Sequence, residues 1–330
     1  MDFKDKRVLV TGARGFVGST LAEALIRAGA KVRALVHYSS GCVYGNLEFL
    51  PPELLREIEI VQGDMNDPYC IKRAVADQDV VFHLAALIAI PYSYQSPQTY
   101  VTTNIGGTLN ILQACHDAGT PKIIHTSTSE VYGTALYTPI DEAHPLQAQS
   151  PYSASKIGAD KIAEAYYNSF SAPVVTVRPF NTYGPRQSAR AVIPTIISQI
   201  LAGQDTVRLG ALHPVRDLTF VGDTVEGFMK AATSSEAVGK TINFGTGKGI
   251  TIGDLALKIA EIAGVKITLV SDSERIRPEK SEVLELIANS ELARDLCGWT
   301  PKVSLDEGLQ QCIDFVRANP SLYKPKTYQV

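Results

Sequence analysis

The stretch that decides the fold is Thr11-Gly12-Ala13-Arg14-Gly15-Phe16-Val17-Gly18. It follows the β-branched run Val8 to Thr11 and leads into Ser19-Thr20-Leu21-Ala22-Glu23-Ala24-Leu25, a helix-forming segment. Glycines at every third position between a strand and a helix permit a tight turn and close backbone approach to a pyrophosphate. That anion then meets the amide donors and positive dipole end of the helix. The turn predicts a dinucleotide site formed by Gly12, Arg14, Gly15, Phe16, Val17 and Gly18.

Outward from this turn, short β-branched runs alternate with helical patterns, the signature of repeated βαβ units. The strands expected are Val8 to Thr11, Lys31 to Val36, Glu59 to Gln62, Val80 to Leu84, Lys122 to Ser127 and Val174 to Arg178. Helices are expected over Gly18 to Ala28, Pro68 to Ala76, Thr99 to Ala118 and Tyr152 to Ser169. The fold class predicted is α/β, a doubly wound parallel sheet (Rossmann) of six or seven strands. After Arg178 the rhythm loosens at Pro179, Gly184, Pro185 and Pro194. This places the cofactor domain at residues 1–180 and a smaller C-terminal α/β substrate lobe at 181–330. Strand candidates of the lobe lie near Val207, Leu218, Ile242 and Ile267, and Phe180 to Thr182 is expected to cross back to the sheet.

Composition excludes several classes. The 330 residues carry 31 Lys and Arg against 34 Asp and Glu, a net charge of −3, with 45% hydrophobic residues. Mean hydropathy is +0.02. Such a chain is neither disordered nor generally attracted to nucleic acid or anionic membrane. Cys42, Cys70, Cys115, Cys297 and Cys312 include no C-x-x-C pair, so no disulfide framework or metal cluster is expected, and a reducing, cytoplasmic compartment is. The most apolar window, Val80 to Ile90, is broken by His83 and is about half the ~20 residues that span a bilayer.

Which dinucleotide binds stays open. NAD-binding folds place Asp or Glu after the second strand to bond the ribose 2′-hydroxyl, whereas here Val36 is followed by His37-Tyr38-Ser39-Ser40. Arg14 and Arg33 are each either a contact to the 2′-phosphate of NADP or a solvated charge. Asp64, after the third strand, is either an acceptor for the adenine amino group or a turn and cap residue.

Two further segments carry chemistry. Thr126-Ser127-Thr128-Ser129-Glu130-Val131-Tyr132-Gly133 sits at the carboxyl end of the fifth strand, where ligands bind in open α/β sheets. In Ser150-Pro151-Tyr152-Ser153-Ala154-Ser155-Lys156 a proline starts a helix and places Tyr152 and Lys156 on one face. Tyrosine has a free pKa near 10, so acting as a base at pH 7 requires a drop of roughly 3 units, about 4 kcal/mol. A lysine cation and a positively charged nicotinamide ring supply that kind of stabilisation. His83, His125 and Cys115 lie in apolar segments and read as core.

With these motifs the chain resembles an extended short-chain dehydrogenase/reductase of the nucleotide-sugar epimerase and dehydratase type, from Val8 to about Leu309. The resemblance rests on Thr11 to Gly18, His83 to Ala86, Thr128 to Gly133, Tyr152 to Lys156, Arg178 to Arg186, and the Arg216-Asp217 and Arg277-Pro278 stretches. It implies that Thr128, Tyr152 and Lys156 form a triad that oxidises the C4 hydroxyl of a sugar. It also implies that His37, Asp64, Met65, Leu84, Ala85 and Ala86 border the cofactor. Thr128-Ser129-Glu130 is the pattern of 4,6-dehydratases that resemble this chain, with Ser129 standing where dTDP-glucose dehydratases have an aspartic acid. Glu130 is then the acid/base that moves the C5 proton and helps expel the C6 hydroxyl, Ser129 completing the catalytic set. UDP-glucuronate decarboxylases carry the same Thr-Ser-Glu. Leu87 to Tyr94, an apolar loop around Ile88, and Asn181 to Arg190 look closest to N-acetylglucosamine-nucleotide 4,6-dehydratases of legionaminic-acid-type pathways. A related 5,6-dehydratase activity uses similar residues. The resemblance further implies that Arg216 and Arg277 clamp a nucleotide diphosphate, that Asn181 and Arg186 approach the sugar diphosphate, and that two helices pair in a homodimer.

Overall fold

Val8, Leu9 and Val10 are wholly buried, so Arg7–Thr11 (β1) is a central strand covered on both faces. The computed structural model describes residues 2–41, 43–275 and 278–323. Around β1 lie Lys31–His37 (β2), Glu59–Gly63 (β3), Val80–His83 (β4), Ile123–Thr126 (β5) and Val174–Pro179 (β6). With Thr241–Phe244 (β10) they form a seven-stranded sheet in the order β10-β6-β5-β4-β1-β2-β3, parallel throughout. The carboxyl ends of β1, β4, β5 and β6 therefore share one edge of the sheet.

Helices cover both faces. On one side Phe16–Arg27 (α1), Val221–Thr233 (α9) and Glu291–Cys297 (α11) bury Leu21, Leu25, Val225, Phe228 and Ala293 against the strands, with Trp299 beside Phe244. On the other, Pro68–Val75 (α3), Gly107–Ala118 (α6) and Pro151–Phe170 (α7) contribute Ile71, Ile111, Leu112 and Ala163. Ser150 starts α7 in a reciprocal cap with Ser153, and Pro151 takes the first helical position, where its missing N–H is not needed. Pro52–Leu55 (α2), Ile90–Gln95 (α4) and Pro97–Tyr100 (α5) are short connectors.

The remaining elements build the lobe. Asn181–Tyr183 (β7), Gly249–Thr251 (β11) and Glu285–Leu286 (β13) all pair with Val215–Phe220 (β9). Thr206–Leu209 (β8) pairs with Thr268–Ser271 (β12). Ile196, Leu255 and Leu309 join its core from Val192–Leu201 (α8), Ile252–Ile262 (α10) and Leu305–Ala318 (α12). No described helix is long and apolar enough to cross a membrane.

Three expectations change. Phe180 to Thr182 does not rejoin the large sheet, because Asn181–Tyr183 pairs with β9; the segment that returns is Val221 to Phe244, whose strand β10, assigned to the lobe from sequence, is an edge of the seven-stranded sheet. The single helix expected over Thr99 to Ala118 is interrupted by a π-helical stretch at Val101–Gly106. The apolar loop expected over Ile88 to Pro91 becomes helix from Ile90, with Pro91 in its first turn.

Candidate functional site

Gly12 has a φ of +70°, and a Cβ there would lie 2.9 Å from the Ala85 amide nitrogen, so only glycine lets β1 and the β4 exit approach this closely. Gly15 is the N-cap of α1; no side chain caps the helix, and its first turn holds no acid. Its first amide donors are thus left to an anionic ligand, as a pyrophosphate requires. The Thr11 hydroxyl accepts from the Leu84 and Ala85 amides at 3.1 and 3.0 Å, which ties the two strand exits together. Ala86 follows, half-buried. Met65 is buried against Gly107, and its carbonyl accepts from Asn110. Asp64 is exposed; one carboxylate oxygen receives the Asn66 amide at 2.8 Å, the turn role weighed from sequence.

At the exit of β2, His37 and Tyr38 are exposed. Arg14 is half-buried beside Gly45, its carbonyl accepting from Asn46, and it has no ion pair among the described residues. Arg33 cannot serve the cofactor. It pairs with Glu59 at 2.8 Å and donates to the Ala74 and Ala76 carbonyls, near the opposite end of its strand.

The triad residues converge. Tyr152 and Lys156 are both buried on α7, and the Lys156 ammonium donates to the Thr126 carbonyl at 2.7 Å. The Thr128 hydroxyl lies close enough to the Tyr152 phenol to lower its pKa, and accepts the Glu130 amide at 3.2 Å. Burial pushes the Tyr152 phenol well above its usual range, with Thr128 opposing that rise and the Glu130 charge adding to it. Burial also brings the Lys156 amine down to about 8, against the pull of Asp160. Ser129 is buried on the short helical turn Ser129–Tyr132. Glu130 on the same turn is half-buried, and its carboxylate has no hydrogen bond or ion pair among the described residues.

Sequence reasoning passed over Tyr100 and Asn104. Tyr100 is fully buried, packs edge-on to Tyr152 with ring centroids 6.3 Å apart, and donates to the Ala89 carbonyl. Asn104, in the π-helical stretch, accepts from the Leu87 amide and donates to the Leu87 carbonyl and Ser155 hydroxyl. Together they hold the Leu87 to Ala89 segment against α7 and leave Ile88 exposed. The extra residue of a π-turn carries no reliable sequence signal, so this clamp was not legible. Tyr94 meets the Ser281 hydroxyl, which donates to the Gln149 carbonyl, joining this segment to the C-terminal lobe.

The expected substrate residues divide. Asn181 holds a buried side-chain oxygen without a hydrogen-bond partner among the described residues. Arg216 is buried and pairs with Glu282 at 3.3 Å. Arg186 is held through Nη2 by Glu23 of α1 at 2.7 Å and its carbonyl accepts from Asn46, fastening the loop after β7 to α1, while its buried Nη1 has no hydrogen-bond partner among the described residues. Arg277 lies outside the described residues. His83, His125 and Cys115 are buried, as read from their apolar surroundings.

The model of the family described as GDP-mannose 4,6 dehydratase matches residues 9–312. A UDP-glucose 4-epimerase of Mycolicibacterium smegmatis is 34% identical, the match covering 94% of this chain and 98% of that protein. A dTDP-D-glucose 4,6-dehydratase of Mus musculus is 30% identical over 95% of this chain and 89% of that protein. Among solved structures, the dTDP-glucose 4,6-dehydratase DesIV from Streptomyces venezuelae with NAD bound superposes with a TM-score of 0.84 at 27% identity, covering 97% and 99% of the two chains. With a parallel Rossmann sheet, a glycine turn and a Thr-Tyr-Lys cluster at one edge, the chain belongs to the GDP-mannose 4,6-dehydratase family, the extended short-chain dehydrogenases/reductases that comprise nucleotide-sugar 4,6-dehydratases and 4-epimerases.

Proposed function

We propose that this chain is a nicotinamide-dependent nucleotide-sugar 4,6-dehydratase whose substrate is UDP- or GDP-N-acetylglucosamine and whose product is the 4-keto-6-deoxy sugar. The observation that carries this reading is Glu130. A 4-epimerase needs one base at C4, whereas a dehydratase also needs a group to move the C5 proton, and Glu130 is a half-buried carboxylate beside Tyr152 that no described residue engages.

Gly12, Gly15 and the first turn of α1 hold the pyrophosphate of the dinucleotide, and Leu84 to Ala86 border it. When bound, the nicotinamide dinucleotide supplies a reversible hydride sink. Tyr152, its phenolate favoured by Lys156 and the Thr128 hydroxyl, removes the C4 hydroxyl proton. The 4-keto group acidifies C5, and Glu130 takes that proton and delivers it to the departing C6 hydroxyl, so that water leaves. The hydride removed from C4 then returns to C6 as C5 regains a proton, the proton taken by Tyr152 balancing the one added, which gives the 4-keto-6-deoxy sugar. Ser129 supports this turn from its buried position. Arg216, Arg277 and Asn181 serve the sugar-nucleotide diphosphate, and Ile88 faces the C6 edge of the sugar. Val101, Leu109 and Phe170 leave apolar side chains exposed on the π-helical stretch, α6 and α7, which supports a homodimer through these helices; light scattering after size exclusion reads its mass.

The identity to a UDP-glucose 4-epimerase favours epimerisation as the second reading. Mass spectrometry after incubation with UDP- and GDP-N-acetylglucosamine separates them: dehydration removes one water, decarboxylation of UDP-glucuronate removes carbon dioxide, and epimerisation leaves the mass unchanged. Glu130→Gln is expected to abolish loss of water while dinucleotide binding, followed by calorimetry, is kept. Unchanged turnover in that variant overturns the assignment.

A further inference from the structure

The backbone that carries Thr128 leaves the sheet at Thr126, and beyond the strand its Ser127 amide donates to the Val177 carbonyl at 2.8 Å. Two side chains of one face of α7 grip this exit. Lys156 donates to the Thr126 carbonyl at 2.7 Å, and one residue further on the Ser127 hydroxyl donates to Asp160 at 2.7 Å. Tyr152, Lys156 and Asp160 stand four residues apart, so the phenol and both grips belong to successive turns of a single rigid helix.

Asp160 is itself held from two strands. His125 Nε2 of β5 donates to Oδ1 at 3.0 Å, while Arg178 of β6 donates to Oδ2 through Nε at 3.2 Å and Nη2 at 2.9 Å. The remaining Arg178 nitrogen donates to the Tyr132 hydroxyl at 2.9 Å, and that hydroxyl donates to Asn243 of β10 at 2.8 Å. All these side chains are buried. A carboxylate with this many charge-assisted bonds has little freedom to shift.

We propose that Asp160 is a positioning residue for the reaction: through Ser127 it sets the path of the strand exit, and so brings the Thr128 hydroxyl to the Tyr152 phenol. This rests on the triad reading, and it assigns work to a carboxylate that the proton transfers do not use. An Asp160 that served stability alone would carry the ion pair with Arg178 and have no need of Ser127.

Ser127→Ala removes the grip and leaves the buried ion pair intact, so the variant is expected to fold. Its kcat with the converted sugar nucleotide is expected to fall about tenfold, with KM and the dinucleotide Kd within about twofold, the loss of one positioned hydrogen bond being worth about 1.4 kcal/mol. Ser127→Thr, which keeps the hydroxyl, is expected to restore turnover. Asp160→Asn is expected to lose more than Ser127→Ala. A readout free of the substrate is the fluorine resonance of 3-fluorotyrosine placed at position 152 in the NAD-loaded protein. Its phenol titration is expected to move to higher pH in the Ser127→Ala background, because the Thr128 hydroxyl that lowers it is no longer held close, and to return in Ser127→Thr. A titration that stays put in Ser127→Ala, or a KM that rises in step with any loss of kcat, overturns the proposal. A titration that moves while no sugar nucleotide is converted removes the substrate reading and leaves this one standing.

Discussion

Two neighbouring strands, β5 and β6, end at the same edge of the sheet in motif-rich segments, and they differ in what their polar side chains are left to do. After β5, Thr128 lies beside Tyr152, and Glu130 keeps its carboxylate without a partner among the described residues. At the end of β6, Arg178 is enclosed by Asp160 and Tyr132, and past β7 Arg186 is held by Glu23. In the proposed function the first exit presents chemistry to a ligand, whereas the second joins the layers of the fold. Membership of a motif therefore does not tell whether a charge is available. That depends on which partner the tertiary structure brings to it, since a buried charge is tolerated only when paired.

The sharpest way to break this contrast is to compare variants for activity and for stability. Glu130→Gln should lower turnover by about 10²- to 10⁴-fold, the range of a lost general acid/base. Its Tm should stay within a degree or two of the parent, because the carboxylate supports no described contact. Arg178→Ala should act above all on stability. Removing one side of a buried pair typically costs about 3–5 kcal/mol, so a large fall in the denaturant midpoint is expected. A Glu130→Gln protein that unfolds early, or an Arg178→Ala protein of parental stability, erases the distinction between the two exits.

Acid provides the next test. Burial pushes the Asp160 carboxyl up, but His125, Arg178 and Lys156 more than offset this and hold it at about 2, against an ordinary value of 3.8. A folded-state pKa below the unfolded one stabilises the protein above the unfolded value, and that stability is lost as pH falls through the folded value. Thermal stability should therefore decline between about pH 4 and pH 2. The part of that decline due to Asp160 should be missing from Asp160→Asn when the two melting profiles are compared. The smallest effect is expected at Arg186: replacing it with Ala should cost about 1 kcal/mol by loss of the Glu23 pair, with little change in sugar-nucleotide KM. A tenfold rise in KM there would return Arg186 to the substrate site.

Much of the fold was legible because its signals are local. The glycine turn, the β-branched strands and the Ser150 cap with Pro151 each act within a few residues, and β1 to β6 and α7 appear within a residue or two of where the pattern puts them, whereas the helix over Thr99 to Ala118 is broken. Tyr152 and Lys156 were legible for the same reason, since helical spacing alone puts them on one face. Strand order was not. That the chain returns through Val221 to Phe244 to add β10 beside β6 is a pairing over more than sixty residues, for which neither periodicity nor turn chemistry leaves a mark.

By itself, then, the sequence determined the parallel α/β plan, the dinucleotide turn and the placing of Tyr152 and Lys156 on one helix face, because glycine geometry, side-chain period and helix caps are encoded within single segments. Only the tertiary structure decided which charges are free. Arg33 looked as available as Glu130 until Glu59 was brought to it, and Asp160 gained its place between Ser127, His125 and Arg178 from separate elements. Pairing of charges in a low-dielectric interior depends on distance in space, and distance in space is what a linear sequence does not state.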